Sequence, residues 1–254
     1  MCDIGMPMES SRLNDLREKR RVVRPLLSPH DPADALASYY ALYHDPKRTD
    51  LTISHNAQGN ADGFVAVCQT GADLFRPLVT LRAQDTDAVS PLLNKALTPH
   101  RPYHITVPVT LAAAVRECME LRESTLLSVY QLEPARFQRV VNVLVQQIRG
   151  ADGTPRFQIE SQGKVAAISG TNWRSPTFAE VFVVVDPGSR HRGWGKSVAS
   201  ACTSALLEDR LQPLYFVAEG NRQSVRIAEE LGYVDTGLRE VAAEGRLNTG
   251  PSNP

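Results

Sequence analysis

The stretch Val181-Phe182-Val183-Val184-Val185-Asp186-Pro187-Gly188-Ser189-Arg190-His191-Arg192-Gly193-Trp194-Gly195-Lys196 decides the reading of this chain. Its first five residues form a near-continuous apolar, β-branched run, which predicts a strand in the middle of a sheet covered on both faces. Asp186-Pro187-Gly188 stops that strand. Beyond Lys196, the residues Val198, Ala201, Cys202, Ala205 and Leu206 recur at three-and-four spacing, as in a helix with one buried face. A strand therefore feeds through a glycine-containing loop straight into a helix N-terminus. Gly193 and Gly195 remove Cβ atoms where a ligand approaches the backbone, and they permit left-handed dihedrals. The first-turn N–H groups of a helix lack intrahelical partners and lie at the positive end of its dipole. With Arg190, Arg192 and Lys196 around them, and His191 when protonated, they suit a phosphate or pyrophosphate.

Two phosphate-binding patterns do not fit. The dinucleotide fingerprint G-x-G-x-x-G fails because Val198 stands at the third glycine. Gly195-Lys196-Ser197 matches the end of a nucleotide P-loop, but Arg190 stands where its first glycine belongs. A nucleotide-binding protein using the same anion loop remains the weakest alternative.

Working outward, Phe137 to Ile148 reads as a helix stopped by Gly150. The turns Asp152-Gly153 and Gln162-Gly163 bound hairpin strands at 157–159 and 165–168. The apolar strand starts at Ala179, and Pro213 to Val217 reads as another. A helix opens at Asn221-Arg222-Gln223-Ser224 and closes at Leu231-Gly232-Tyr233, with Gly232 as its C-cap.

Arg190-x-x-Gly193-x-Gly195 after an apolar strand resembles the acyl-CoA pyrophosphate loop of the GNAT superfamily of N-acetyltransferases. The second motif, a strand followed by Asn221, a small residue at Ser224 and a Leu-Gly-aromatic turn, is similar to the same family. The resemblance covers roughly residues 155 to 240. It implies that backbone groups at Val183, Val184 and Val185 hold the pantetheine arm of acetyl-CoA. It also implies that the amides from His191 through Trp194 to Lys196 hold the pyrophosphate, with charge from Arg190 and Arg192. Asn221 would contact the pantetheine region with Ser224 nearby; read from its residue type alone, Asn221 is an ordinary helix cap.

Two departures stand out. Many GNAT loops have Gly where His191 stands, and many members carry on the last helix a Tyr that protonates the leaving thiolate, where this chain has Ala228 between Ile227 and Glu229. Acetyl transfer also needs a group that takes the proton of the attacking amine. Glu180 is the candidate base; strand alternation groups it with Phe182 and Val184, away from Val181, Val183 and Val185. A plain surface carboxylate at a strand end is the competing reading.

The first half alternates strands and helices. Asp31-Pro32 is a helix start, and Leu36, Tyr39, Tyr40 and Tyr43 share a helical packing face. Strands are predicted at 64–68, 78–81, 103–107 and 126–132, with helices near 89–97 and 111–121, in an α/β domain ending near Pro134. Ala83 to Ser90 contains no glycine. This half resembles a GNAT repeat that has lost its acyl-CoA loop, or it is an unrelated α/β domain. Arg17 to Arg21 reads as a solvated, partly frayed helix.

The composition agrees with these expectations. The chain has 254 residues, with 28 Lys+Arg against 28 Asp+Glu, so its formal charge is zero. That balance argues against a dedicated nucleic-acid or membrane-surface protein. No apolar run approaches the ~18 residues of a membrane span, and Met1 to Glu9 carries no signal-peptide stretch. Cys2, Cys68, Cys118 and Cys202 lie far apart without metal-ligand spacing, and Cys118 and Cys202 read as packed thiols.

The expected fold class is α/β with a mixed sheet (α+β). Four segments are expected: a tail or helix over 1–30, an N-terminal domain over 31–134, a GNAT-like domain over 135–245, and a flexible tail over 246–254. The expected activity is a cytoplasmic acetyl-CoA-dependent N-acetyltransferase acting on a small-molecule or protein amine, with no metal, nucleic-acid or membrane partner. The alternative is a noncatalytic CoA-binding or regulatory module.

Overall fold

In the computed structural model, which describes residues 6–71 and 73–248, the chain divides into two contact units. Unit one runs to Leu126 and takes in the chain again from Glu240, and unit two is Leu127–Arg239. Cys2 and residues 249–254 of the expected C-terminal tail lie outside the described residues.

The first elements are α1 (Met6–Val23), α2 (Ala35–Ser38), β1 (Thr49–His55), β2 (Ala61–Cys68), β3 (Leu78–Ala83), α3 (Val89–Ala96), β4 (Pro102–Pro108), α4 (Ala112–Cys118) and β5 (Met119–Leu132). Then come β6 (Gln146–Arg149), β7 (Pro155–Ser161), β8 (Lys164–Arg174), β9 (Phe178–Val185), α5 (Trp194–Glu208), β10 (Gln212–Ala218), α6 (Arg222–Leu231) and β11 (Tyr233–Leu247). The division falls within β5, eight residues before Pro134, and β11 returns to unit one at Glu240.

In unit one the strand order is β1-β2-β3-β4-β11-β5. Val79, Leu81, Ile105, Val107 and Val241 pack one face against Val89, Leu92, Leu93 and Val115 of α3 and α4. The Tyr face continues α2 as a π turn over Tyr39–Tyr43, with Leu36 and Tyr40 buried. Arg20 is not solvated as a basic run predicts. Its Nε donates to the Ala41 carbonyl at 3.0 Å and its Nη2 to the His44 carbonyl, satisfying the end of that turn. The helix expected over 111–121 ends at Cys118, and the strand begins at Met119 rather than Leu126. Met119 belongs to the core that holds Ile105 and Val107, and burying it there outweighs the helix propensity of Glu120, Leu121 and Arg122.

In unit two the order is β11-β5-β10-β9-β8-β7-β6. Ala179, Val181, Tyr215 and Val217 meet Val198, Cys202 and Leu206 of α5 and Ala228 and Leu231 of α6. Cys68, Cys118 and Cys202 are buried free thiols. The helix expected from Phe137 to Ile148 does not form: 137–145 runs without helix, and β6 pairs antiparallel with β7. Its Val-rich sequence is a weak helix former, and α5 offers other partners. Val140 N–H donates to Ser200 Oγ at 2.8 Å, and Asn142 Nδ2 donates to Ser197 Oγ at 3.1 Å.

Candidate functional site

β9 pairs with β8 along its length, from Arg174–Ala179 to Ala167–Val185. Its parallel ladder with β10 holds only Gln212–Phe178, Pro213–Ala179 and Leu214–Glu180. Past that point the two strands diverge, so Val181 to Val185 present a backbone edge on the β10 side that this ladder does not use. The expectation that the apolar run is covered on both faces fails at this end, where Val184 is 58% exposed. Val183 and Val185 still pack toward α5, while Glu180, Phe182 and Val184 alternate onto the opposite face.

The chain then turns through Pro187–Ser189, with Ser189 N–H donating to the Asp186 carbonyl at 2.8 Å. His191 and Gly193 adopt left-handed backbone, φ 63° and 73°. Gly193 is the N-cap of α5, and its carbonyl accepts from Ser197 N at 3.1 Å. A Cβ on Gly193 would meet nothing within 4 Å, whereas one on Gly195 would lie 2.9 Å from Val185 Cγ2 and 3.1 Å from Ile227 Cδ1. Gly193 thus opens the loop toward solvent, and Gly195 lets α5 approach β9 and α6.

Between this loop and α6 lies a cavity of ≈ 400 Å³. Its walls are Val185, residues 189–196, and Gln223, Arg226, Ile227 and Glu230. Arg190, His191, Arg192 and the first turn of α5 meet there as the loop sequence predicts. Arg192 stacks over the Trp194 ring, its Cζ 4.9 Å from the centroid, which directs the guanidinium within the loop. Lys196 differs from expectation: its Nζ is bound to Glu230 Oε2 at 2.8 Å, and Arg226 Nε takes Glu230 Oε1 at 2.6 Å. These cations hold the Glu230 carboxyl below its ordinary range.

Asn221 caps α6, its Oδ1 accepting from Ser224 N at 3.1 Å. Neither residue is among the cavity walls. Ala228, on the inner face of α6, is fully buried, so the position where the sequence pattern looks for a phenol holds a core methyl here.

Glu180 sits at the last rung of the β9–β10 ladder. β8 is irregular between Thr171 and Trp173, and Trp173 is the β8 partner of Glu180. Asn172 Nδ2 donates to Glu180 Oε1 at 2.7 Å, and Asn172 and the Trp173 side chain both favour the ionised carboxylate. Desolvation outweighs both and pushes the Glu180 carboxyl up to about 7. Trp173 and Phe216, with ring centroids 6.4 Å apart, stand edge to face nearby.

Sequence reasoning missed Gln223, Arg226 and Glu230, although the i, i+3, i+4, i+7 spacing of 223, 226, 227 and 230 marks one helix face. It also missed Asn172, because no pattern announces a break in strand register.

Unit one repeats the divergence without the loop. The parallel β3–β4 ladder holds only Leu78–His104 and Val79–Ile105. The turn after β3 is acidic, and Asp85 Oδ1 accepts from Asp87 N at 3.0 Å. Arg82, near the end of β3, is bound by Asp34 at 3.1 Å, by the Ala33 carbonyl and by Glu240 at 3.6 Å.

Residues 159–241 match the model of the FR47-like protein family, while no curated protein matches the chain. Among solved structures, a GCN5-related N-acetyltransferase from Kribbella flavida is 15% identical, with 86% of this chain and 95% of that one covered and a TM-score of 0.59. An acetyltransferase of the GNAT family from Colwellia psychrerythraea is 12% identical, covering 91% and 96%, with a TM-score of 0.56. A tandem GNAT protein from the clavulanic acid biosynthesis pathway is 13% identical, covering 96% and 97%, also with a TM-score of 0.56. The fold is that of the GNAT proteins, and the likeness to the tandem member extends over both halves.

Proposed function

We propose that this GNAT-fold chain is an acyl-CoA-dependent N-acetyltransferase that binds acetyl-CoA in unit two and acetylates an amine. The observation that carries this reading is the end of the β9–β10 ladder at Leu214–Glu180, beside a glycine-opened, cationic loop. An extended amide-bearing ligand pairs with a strand edge of this kind, and its pyrophosphate suits the amides at the start of α5.

Each group in the site has its own task. The backbone at Val183, Val184 and Val185 orients the pantetheine arm, and N–H groups there polarise the thioester carbonyl. Arg190, Arg192 and the amides of residues 191–196 neutralise the pyrophosphate. Glu180, on the face opposite α5, takes a proton from the incoming ammonium and leaves a neutral amine to attack the thioester carbonyl; the C–S bond then breaks, and the departing coenzyme A thiolate takes its proton from water. A carboxyl near 7 matches that task at neutral pH far better than one at 4.5. Asn172 fixes its orientation.

Calorimetry with acetyl-CoA tests the binding half: micromolar-range affinity is expected, with Gly193→Glu abolishing it, and no heat from the unaltered chain overturns the reading. A second reading, a noncatalytic CoA-binding or regulatory module, is favoured by the core methyl of Ala228 in the phenol position. Release of free thiol from acetyl-CoA with any member of an amine panel rejects it.

A further inference from the structure

Four cationic side chains line the cavity beside the α5 N-terminus, and they fall into two sets. Arg190 and Arg192 belong to the loop. Lys196 and Arg226 belong to α5 and α6, and Glu230 joins them, one carboxylate oxygen to each, at 2.8 and 2.6 Å. A pyrophosphate on the loop amides is served by the loop set. Lys196 and Arg226 are surplus to that task, yet they face the same space.

Their arrangement is that of a prepared anion contact. Both cations are tethered by one carboxylate, so a group that binds them meets side chains whose rotamers are already restricted. Two positive charges against one negative leave the cluster a net cation. Arg226 keeps its side chain 81% exposed, and one edge of its guanidinium is taken by Glu230 through Nε, leaving the fork's other nitrogens to donate.

We infer that Lys196 and Arg226, braced by Glu230, form a second anion subsite that takes the 3′-phosphate of a 3′-phosphoadenosine ligand, while the loop takes the pyrophosphate. This inference rests on the acyl-CoA reading of the same cavity. It makes the α6 wall the place where the protein tells coenzyme A from its dephosphorylated form. It also separates such a ligand from ATP or ADP, which carry no phosphate on the ribose 3′ position. The recognition is electrostatic and partly exposed, so it weakens as salt rises.

The test is calorimetry on the full chain with coenzyme A and 3′-dephospho-coenzyme A at low and moderate salt. Coenzyme A is expected to bind about tenfold more tightly, in line with one charge-assisted contact. Arg226→Ala should collapse that ratio toward one while leaving 3′-dephospho-coenzyme A binding unchanged. Arg222→Ala, on the same helix but outside the cavity walls, should leave the ratio intact. Equal affinities for the two ligands in the unaltered chain, or equal losses for both ligands in Arg226→Ala, overturn the subsite and leave the acyl-CoA reading standing. A ratio lost equally in Arg222→Ala reassigns the effect to the general field of α6 and likewise overturns it. Failure of both ligands to bind the unaltered chain overturns the acyl-CoA reading itself.

Discussion

Gly193 and Gly195 stand two residues apart in one loop for different physical reasons. Gly193 needs its left-handed backbone, and Gly195 needs its missing Cβ. Alanine at either position costs stability, about 1–2 kcal/mol at 193 from the strained dihedral and about 1–3 kcal/mol at 195 from crowding. A double-mutant cycle in urea separates the two causes: Val185→Ala is expected to couple favourably with Gly195→Ala and to add independently to Gly193→Ala. His191 holds φ 63° with a side chain attached, so His191→Gly should stabilise the loop rather than weaken it. Glu180 belongs to the same scale. If it is the base, Glu180→Gln lowers turnover by about 10²- to 10⁴-fold while acetyl-CoA affinity stays unchanged. In the unaltered chain kcat/KM should rise with pH through about 7 as the carboxyl ionises, and the variant should lose that rise. A pH profile identical in both proteins removes Glu180 from the mechanism.

At the scale of elements, the divergence of a parallel strand pair occurs in both units, β9 from β10 and β3 from β4. The segments leaving β9 and β3 differ in backbone and charge. After β9 come two left-handed residues and a cationic helix start; after β3 comes a turn closed by Asp85 onto Asp87 N–H, with acidic side chains at the helix entry. An anion is attracted to the first and repelled by the second. The expected stoichiometry is therefore one acetyl-CoA per chain by calorimetry, and a value of two contradicts this asymmetry. Segment 137–145 shows the opposite balance, in which distant partners override a local pattern. Its amphipathic-looking run is drawn out along α5 because Ser197 and Ser200 satisfy it there.

For the whole molecule, two carboxyls are held near 7 by desolvation, Glu180 in unit two and Glu240 in unit one. Glu240 faces Arg82, which favours its ionised form, yet one of its oxygens is buried without a hydrogen-bond partner. A carboxyl whose folded pKa exceeds its unfolded value of 4.5 binds more protons folded than unfolded between about 4.5 and 7. Its contribution to stability is complete below 4.5 and is lost as pH rises through about 7. Relative to the unaltered chain, Glu240→Gln should therefore gain stability as pH increases across that window, with a limiting slope of about 1.4 kcal/mol per pH unit. Chemical denaturation at several pH values measures that difference, and a difference flat with pH contradicts the assignment.

The strand-loop-helix order of the decisive stretch, the hairpin turn at Gln162-Gly163 and the cap at Asn221 were legible in the sequence. Each is set by residues within a few positions of one another: turn glycines, β-branched runs and three-and-four spacing. The glycine-free turn after β3 was legible for the same reason. Other features depend on partners far along the chain, and only the tertiary structure decided them. The ladder ends at Glu180 because of where β10 runs, and Lys196 turns to Glu230 because α6 lies beside α5. Arg20 is spent on carbonyls more than twenty residues away, and Glu180 is shifted by walls drawn from β8 and its irregular register. Local propensity and periodicity are short-range quantities, whereas strand divergence, desolvation and choice of ion partner are properties of surfaces that exist only once distant segments have packed.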